Sequence, residues 1–218
     1  MIADHWPLFG LRLRTPRLEL RLPDLDDLAR LGDVAAAGVH DPAVMPFVVT
    51  WTDTTPQERA RNTIKWQWTQ WGSWSPQRWT LQLVVVADGE IIGTQDIGAA
   101  DFATSRVVGT GSWLGLAYQG RGYGTEMRAA VLDLAFTGLG AEYATSEAFE
   151  DNAASYAVSR KLGYADNGIE WHVVRGERIR GRRLVLDRDA WAAARTTEVE
   201  ITGLEPCLPL FGLGPDTP

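Results

Sequence analysis

A run of closely spaced glycines, Gln119-Gly120-Arg121-Gly122-Tyr123-Gly124-Thr125-Glu126, is the stretch whose residue types could do chemistry. The apolar residues before it read as the end of a strand, and 127–136, rich in Ala, Leu and Met, reads as a helix. A turn that joins strand to helix leaves the first N–H groups of the helix without partners. The helix dipole adds positive potential at the same place. Together they suit a phosphate or pyrophosphate. Glycine lets the backbone adopt positive φ and approach a ligand closely. A Walker A loop would end in Gly-Lys-Ser/Thr, whereas Gly124 is followed by Thr125 and Glu126. The dinucleotide fingerprint G-x-G-x-x-G finds its first two glycines in Gly120 and Gly122, but Thr125 stands at the third. Glu142 lies about 20 positions on, where that fold wants an acid, so the dinucleotide pattern is weakened and stays open. Gln119, Gly122 and Gly124 fit a third pattern better, Gln/Arg-x-x-Gly-x-Gly/Ala.

A sheet and its helices must position that turn. Residues 11–22 alternate apolar and polar and read as a first strand, interrupted at Thr15-Pro16. Asp24 caps a helix over Leu25, Leu28, Leu31 and Val34. Thr55-Pro56-Gln57-Glu58 starts a second helix, running to about Trp71. On it Ile64, Trp68 and Trp71 share a face expected to be core, while Trp66 falls off the stripe, toward a substrate cleft or subunit contact. Strands 79–86 and 90–97 form a hairpin across Asp88-Gly89, and strand 107–116 leads into the glycine turn. The helix after the turn ends at Gly138-Leu139-Gly140. Strand 142–149 follows, then a helix from the Asp151-Asn152 cap through Leu162, ended by Gly163. Strands 169–174 and 179–186 close the pattern, before a short helix 187–195 and an appended strand 198–204. Pro7-Leu8-Phe9-Gly10-Leu11 recurs as Pro209-Leu210-Phe211-Gly212-Leu213; we read this as coincidence in preference to a shared packing site for the two termini.

The 218 residues, 45% of them hydrophobic, supply a core for one domain, or two at most. A net charge of −7 argues against a nucleic-acid partner held by a generally basic surface. The single cysteine, Cys207, excludes an intramolecular disulfide and reads as structural, not nucleophilic. The N-terminus has no basic n-region or apolar h-region, and no apolar run approaches spanning length. The expectation is a soluble, cytoplasmic protein with no membrane partner.

A dinucleotide-binding domain would open on its glycine loop, but here one hairpin precedes the loop and another follows it. With the Gln119–Gly122–Gly124 pattern, a second stretch carries weight. Residues 149–164 place Asn152 at a helix start, Ser155 three positions on, and Gly163-Tyr164 at the helix end. Together these resemble the GNAT superfamily of acyl-CoA N-acyltransferases, over about residues 11–190. The Asn152-x-x-Ser155 form, Thr125-Glu126 after the loop, and Leu13-Arg14-Thr15-Pro16-Arg17-Leu18-Glu19-Leu20-Arg21 are similar to the RimJ/RimL-type branch, which acylates ribosomal-protein N-termini. The resemblance implies an α/β (α+β) GNAT fold: a mixed, mostly antiparallel sheet with splayed parallel central strands, flanked by helices. It implies an acyltransferase domain over 1–195 and a C-terminal extension, 196–218, with an extra strand. The implied activity is direct attack of a primary amine, from a protein N-terminus or a small molecule, on acetyl-CoA or succinyl-CoA. No metal is implied, and a homo-oligomer is compatible. The alternative is a CoA-binding sensor or interaction module without turnover.

The resemblance also assigns roles. The thioester would lie in a gap between 113–116 and 143–147. Backbone groups of Trp113, Leu114, Gly115 and Leu116 would hold the pantetheine arm, an N–H near Leu114 or Leu116 polarising the thioester carbonyl. Gln119, Gly120, Arg121 and Gly122, continuing through Tyr123, Gly124 and Thr125, would take the pyrophosphate. Arg121, Arg128, Arg160 and Lys161 would supply local positive charge. Asn152 would bond the pantetheine amides, although the position alone reads as a helix cap. Ser155 stands where the branch places a hydroxyl that stabilises the departing thiolate. Tyr156 is its rival as catalytic residue, and neighbours on a helix point about 100° apart, so both cannot face one sulfur. Leu116 stands where the branch can carry an acidic base. Asp96, Glu147, His40 and His172 are alternative bases, each read as structural or surface-exposed, with His172 facing solvent from an alternating strand. Lacking a base, the site would prefer an easily neutralised α-amine over a lysine.

Overall fold

The computed structural model describes residues 1–214, so the last four positions of the 196–218 extension lie outside the described residues. Its helices are α1 (Ile2–His5), α2 (Leu25–Ala37), α3 (Pro56–Gly72), α4 (Phe102–Ser105), α5 (Tyr123–Asp133), α6 (Ala153–Lys161) and α7 (Arg188–Ala194). Its strands are β1 (Arg12–Arg14), β2 (Leu18–Arg21), β3 (Arg78–Ala87), β4 (Glu90–Ala100), β5 (Val107–Leu114), β6 (Tyr143–Phe149), β7 (Ala165–Val174), β8 (Glu177–Asp187) and β9 (Glu200–Thr202). They make one sheet in the order β7-β8-β6-β5-β4-β3-β2-β1-β9. Neighbours are antiparallel except β5 and β6, whose parallel pairing needs a crossover; α5 makes it. This is the mixed, mostly antiparallel sheet flanked by helices that the sequence implied. No helix among the described residues is long and apolar enough to cross a membrane.

Local chemistry accounts for most boundaries. Asp24 and Asp27 form a capping box on α2, and Thr55 and Glu58 form one on α3 behind Pro56. Asp88 and Gly89 turn the β3–β4 hairpin with φ of 50° and 80°. One expectation fails at the start. Residues 11–22 are not one interrupted strand: β1 and β2 fold back on each other, Leu13 opposite Leu20. Thr15 closes the turn, its Oγ1 accepting from the Leu18 amide at 3.1 Å. Alternation is the same in a straight strand and in one folded in half, so periodicity could not separate them.

Two of the cores among the described residues lie on opposite faces of the sheet. Leu13, Leu20, Leu83, Val85, Ile92 and Val108 pack with α5 on one face. Val84 and Ile91, one position out of phase, pack with Leu31 of α2 on the other, with Trp113 beside them. The tryptophans of α3 are a second correction. Trp68 is 50% exposed, and the buried residues of the helix are Thr63 and Gln67. The helix is phased by Gly32 of α2, which admits Ala60 and Ile64. That rotation turns Trp68 aside and buries polar residues that a hydrophobic pattern gives no weight. Trp66, 54% exposed, lies off the packed face as expected. Trp71 is partly buried against Phe9, with ring centroids 5.7 Å apart.

The repeated Pro-Leu-Phe-Gly-Leu segments are not a coincidence of packing. Each contributes a 3₁₀ turn, Pro7–Gly10 and Glu205–Phe211, to the same aromatic core. Trp74 joins them: its ring lies 6.2 Å from Trp6 and 5.6 Å from Phe211, and its Nε1 donates to Leu210 O at 2.9 Å. β9 then pairs antiparallel with β1, so the C-terminal segment completes the sheet edge.

Candidate active site

β5 and β6 pair only from Val107–Gly109 to Tyr143–Thr145 and then separate. The opening therefore starts later than the sequence implied, between Thr110 and Ser146, because 143–145 is spent on pairing. A cleft of about 300 Å³ lies there, lined among others by Gly109, Thr145, Glu147, Glu170 and Arg183. Gly115 donates to Ile92 O on β4 at 3.0 Å, so by strand alternation the Leu114 and Ser112 amides turn toward the opening. The Leu116 amide is not available to a carbonyl, because it donates to Gly38 O at 3.0 Å. Of the two amides proposed to polarise a thioester, Leu114 remains.

The glycine turn has the geometry of an anion site. Gly120 and Gly122 have φ of 73° and 84°, and Gly122 caps α5 without a side-chain bond. The Thr125 and Glu126 amides close back on Gly122 O; among the described residues the Gly122, Tyr123 and Gly124 amides have no partner. Gln119 begins the turn by donating its Nε2 to Val39 O at 2.7 Å and Leu114 O at 2.9 Å, pinning the turn to the end of β5.

Charge at this turn comes from a residue that spacing did not suggest. Glu126 is buried, and it accepts from Thr15 Oγ1 at 2.6 Å and from the Arg17 amide and Nε at 3.1 and 2.7 Å. The Arg17 guanidinium then crosses the turn, donating to Arg121 O at 3.1 Å and lying 4.7 Å over the Tyr123 ring. Arg128, expected to supply positive charge to the CoA site, is buried between α5 and α6, its Nη1 on Ser159 Oγ at 2.8 Å. Desolvation lowers its pKa. Arg160 caps the end of α6 through Tyr164 O at 2.7 Å, while Arg121 and Lys161 are exposed.

At the start of α6, Asn152 is a helix cap: its Oδ1 accepts from the Ser155 amide at 3.1 Å. Its side-chain nitrogen remains for a ligand. Tyr156 and Ser155 differ in what they touch. The Tyr156 hydroxyl donates to Asp166 at 3.2 Å and its ring lies 5.0 Å under Arg182, whereas Ser155 Oγ has no partner among the described residues.

On the α2/α3 face, two acidic groups flank the opening. Asp96 of β4 lies opposite Gly111, with Oδ2 only 2.8 Å from where a Cβ at position 111 would stand. Desolvation pushes its carboxyl up to about 6, against hydrogen bonds from the Gly111 amide and Gln82. Glu147 of β6 sits over Gly181 and is hydrogen-bonded to Nε2 of His172. His172 therefore does not face solvent as expected. His40 is structural: its ring nitrogens engage Asp41 O at 2.8 Å and Thr52 Oγ1 at 2.7 Å. Cys207 is buried, and burial pushes its thiol up to about 11, which silences it as a nucleophile. No group of three or more His, Cys, Asp or Glu side chains among the described residues is placed to hold a metal.

Several solved structures share this architecture. Mycobacterium smegmatis RimJ in complex with CoA-disulfide is 21% identical, with a TM-score of 0.70 over 88% of this chain and 98% of that one. A GCN5-related N-acetyltransferase from Brucella melitensis is 20% identical, with a TM-score of 0.66 over 84% and 81%. RimL, the ribosomal L7/L12 alpha-N-protein acetyltransferase in complex with coenzyme A, is 17% identical, with a TM-score of 0.63 over 81% and 97%. At such identities the likeness is one of fold. The sequence model of the acetyltransferase (GNAT) domain matches residues 17–165, a span that takes in Arg17, the glycine turn and both arms of the opening. That match places the chain in the GNAT family of CoA-dependent acetyltransferases.

Proposed function

We propose that this protein transfers an acetyl group from acetyl-CoA to a primary α-amine. The observation that carries the reading is the opening between β5 and β6, with unpartnered amides of the glycine turn at its end. The turn and Arg17 take the pyrophosphate, and the β5 edge takes the pantetheine arm. The Leu114 amide polarises the thioester carbonyl. The amine nitrogen attacks the carbonyl carbon; the C–N bond forms, the C–S bond breaks, and the electron pair leaves on sulfur. Ser155 donates to the departing thiolate, since its hydroxyl is free where that of Tyr156 is engaged. Asp96 takes the proton from the amine. Its raised pKa, about 6, makes it a stronger base than an ordinary aspartate while leaving it mostly ionised at pH 7.

Acetyl-CoA is favoured over succinyl-CoA, because a second carboxylate would meet Asp96 and Glu147, while Arg183 is paired with Glu170 at 3.9 Å. An α-amine is favoured over a lysine because losing its proton at pH 7 costs about 1 kcal/mol, against about 4.6 for a lysine. The fold likeness to RimL, whose name states protein α-amine acetylation, supports a protein acceptor. The test is release of CoA thiol from acetyl-CoA and succinyl-CoA with α-amine and lysine acceptors matched in sequence. Equal or faster transfer to lysine at pH 7 would overturn the acceptor reading; faster succinyl transfer would overturn the donor.

A further inference from the structure

The glycine turn starts α5, which packs on one face of the sheet. An amine must reach the thioester carbonyl from the face that the CoA arm leaves free, that of α2 and α3. On that face β5 presents Gly109, which leaves space, then Gly111, over which the Asp96 carboxylate lies, and then Trp113. The Trp113 ring is 5.6 Å from Trp51, and Trp51 is 5.3 Å from Phe47. Phe47 in turn packs against the small cluster of Met45, Val174 and Phe149, the last of them on β6. The row of rings thus starts on β5 and ends against the cluster that includes Phe149 of β6.

The loop that carries Phe47 and Trp51 is held in place at both ends. His40 bonds Thr52 within it, as described above. Arg175, at the tip of the β7–β8 turn, pairs with both oxygens of Asp53 at 2.8 and 2.6 Å and donates to Pro42 O at 3.1 Å. Phe47, Trp51 and Trp113 are nonetheless only partly buried, so ring surface is left to be covered. On this face, then, Asp96 stands over β5, Glu147 stands on β6, and the partly exposed rings lie beside them.

The rings and the carboxylates suit different parts of one acceptor. Aromatic faces attract cations, but the reacting nitrogen must be neutral to attack, so the rings do not serve it. Tilted rings offer apolar area and edge-to-face contacts to a flat group. We infer that Phe47, Trp51 and Trp113 select acceptors in which a flat or bulky apolar group lies next to the primary amine, while the carboxylates receive the amine itself. The inference rests on the acetyl-transfer reading and names its substrate class. A peptide with an aromatic first residue fits both this surface and the α-amine preference, while a free arylalkylamine offers the same ring beside an amine as costly to neutralise as a lysine.

The test compares two matched pairs with acetyl-CoA: Phe-Ala-Ala against Ala-Ala-Ala, and phenethylamine against ethylamine. At least one aromatic member should lead its partner in kcat/KM by about tenfold or more, and the pair that shows the lead assigns the source. Trp51→Ala should erase the lead and leave the KM for acetyl-CoA unchanged; Trp51→Phe should keep most of it. If Trp51→Ala does not fold, Trp51→Leu makes the same test with the loop's bulk kept. Transfer without an aromatic preference, or an equal loss for both members in Trp51→Ala, overturns the acceptor inference and leaves acetyl transfer standing. No transfer to any of the four amines overturns both.

Discussion

Replacing Asp96 by Asn is expected to make the protein more stable and less active. Its carboxyl titrates at about 6 in the fold and at 3.8 when free, desolvation outweighing the bonds from Gly111 and Gln82. Between those two values the folded state binds more protons than the unfolded one, so stability contributed by this group is full below pH 3.8 and is lost as pH rises through 6. At pH 7 the ionised carboxylate opposes folding by about 3 kcal/mol. A side-chain amide cannot ionise. The variant should gain up to about 3 kcal/mol at pH 7, a rise in Tm of roughly 6–12 °C for a chain of this size. The figure is an upper value, because an amide places N–H groups where Gly111 and Gln82 also donate. Urea unfolding of both proteins from pH 3.5 to 7.5 gives the difference curve. It should be near zero or negative at pH 3.5 and climb between pH 4 and 6. At pH 7 kcat should be about 10²-fold lower in the variant, and the gap should narrow below pH 6, because the parent's acidic limb is absent from the variant's pH–rate profile. A stability difference that is flat across pH would refute the desolvation argument. A variant with full activity would refute the proton-acceptor role.

Three further outcomes are expected. Gly122→Val puts a branched side chain at φ 84° and against Arg17 Nη2, 3.3 Å from the new Cβ; it should cost about 1–2 kcal/mol of stability and abolish the ~2.7 kcal/mol that acetyl-CoA at ~100 times its Kd gives the parent protein, which thermal shift measures. Arg17→Gln should raise KM for acetyl-CoA but leave that for acetyl-pantetheine, which has no pyrophosphate, unchanged; a parallel rise in both would make Arg17 a brace for the fold alone. Ser155→Ala should lower kcat by roughly 10² with little change in KM for acetyl-CoA, and Tyr156→Phe, whose hydroxyl is tied to Asp166, should do less; the reverse order of effects would transfer the leaving-group role to Tyr156.

Backbone chemistry within one or two turns of chain was legible in the sequence by itself. The caps at Asp24 and Thr55, the Asp88-Gly89 hairpin and the glycine turn before α5 all stand where residue types put them. Such features depend on dihedral preferences and bonds between near neighbours, which the local sequence contains. With the order of elements they were enough to imply the sheet and the family. Tertiary structure alone decided which distant groups meet. Arg17 and Glu126, 109 positions apart, make the charged brace on the turn, and Glu147 finds His172 across β8. Periodicity could not phase α3 either, since Gly32 turned Thr63 and Gln67 inward and left Trp68 outside. Nor could it see that residues 11–22 fold in half, or that Phe47 and Trp51 would line up with Trp113 of β5. Packing sets those outcomes, because burial, desolvation and the pKa of a group such as Asp96 depend on what the folded chain brings around it, and no local pattern carries that information.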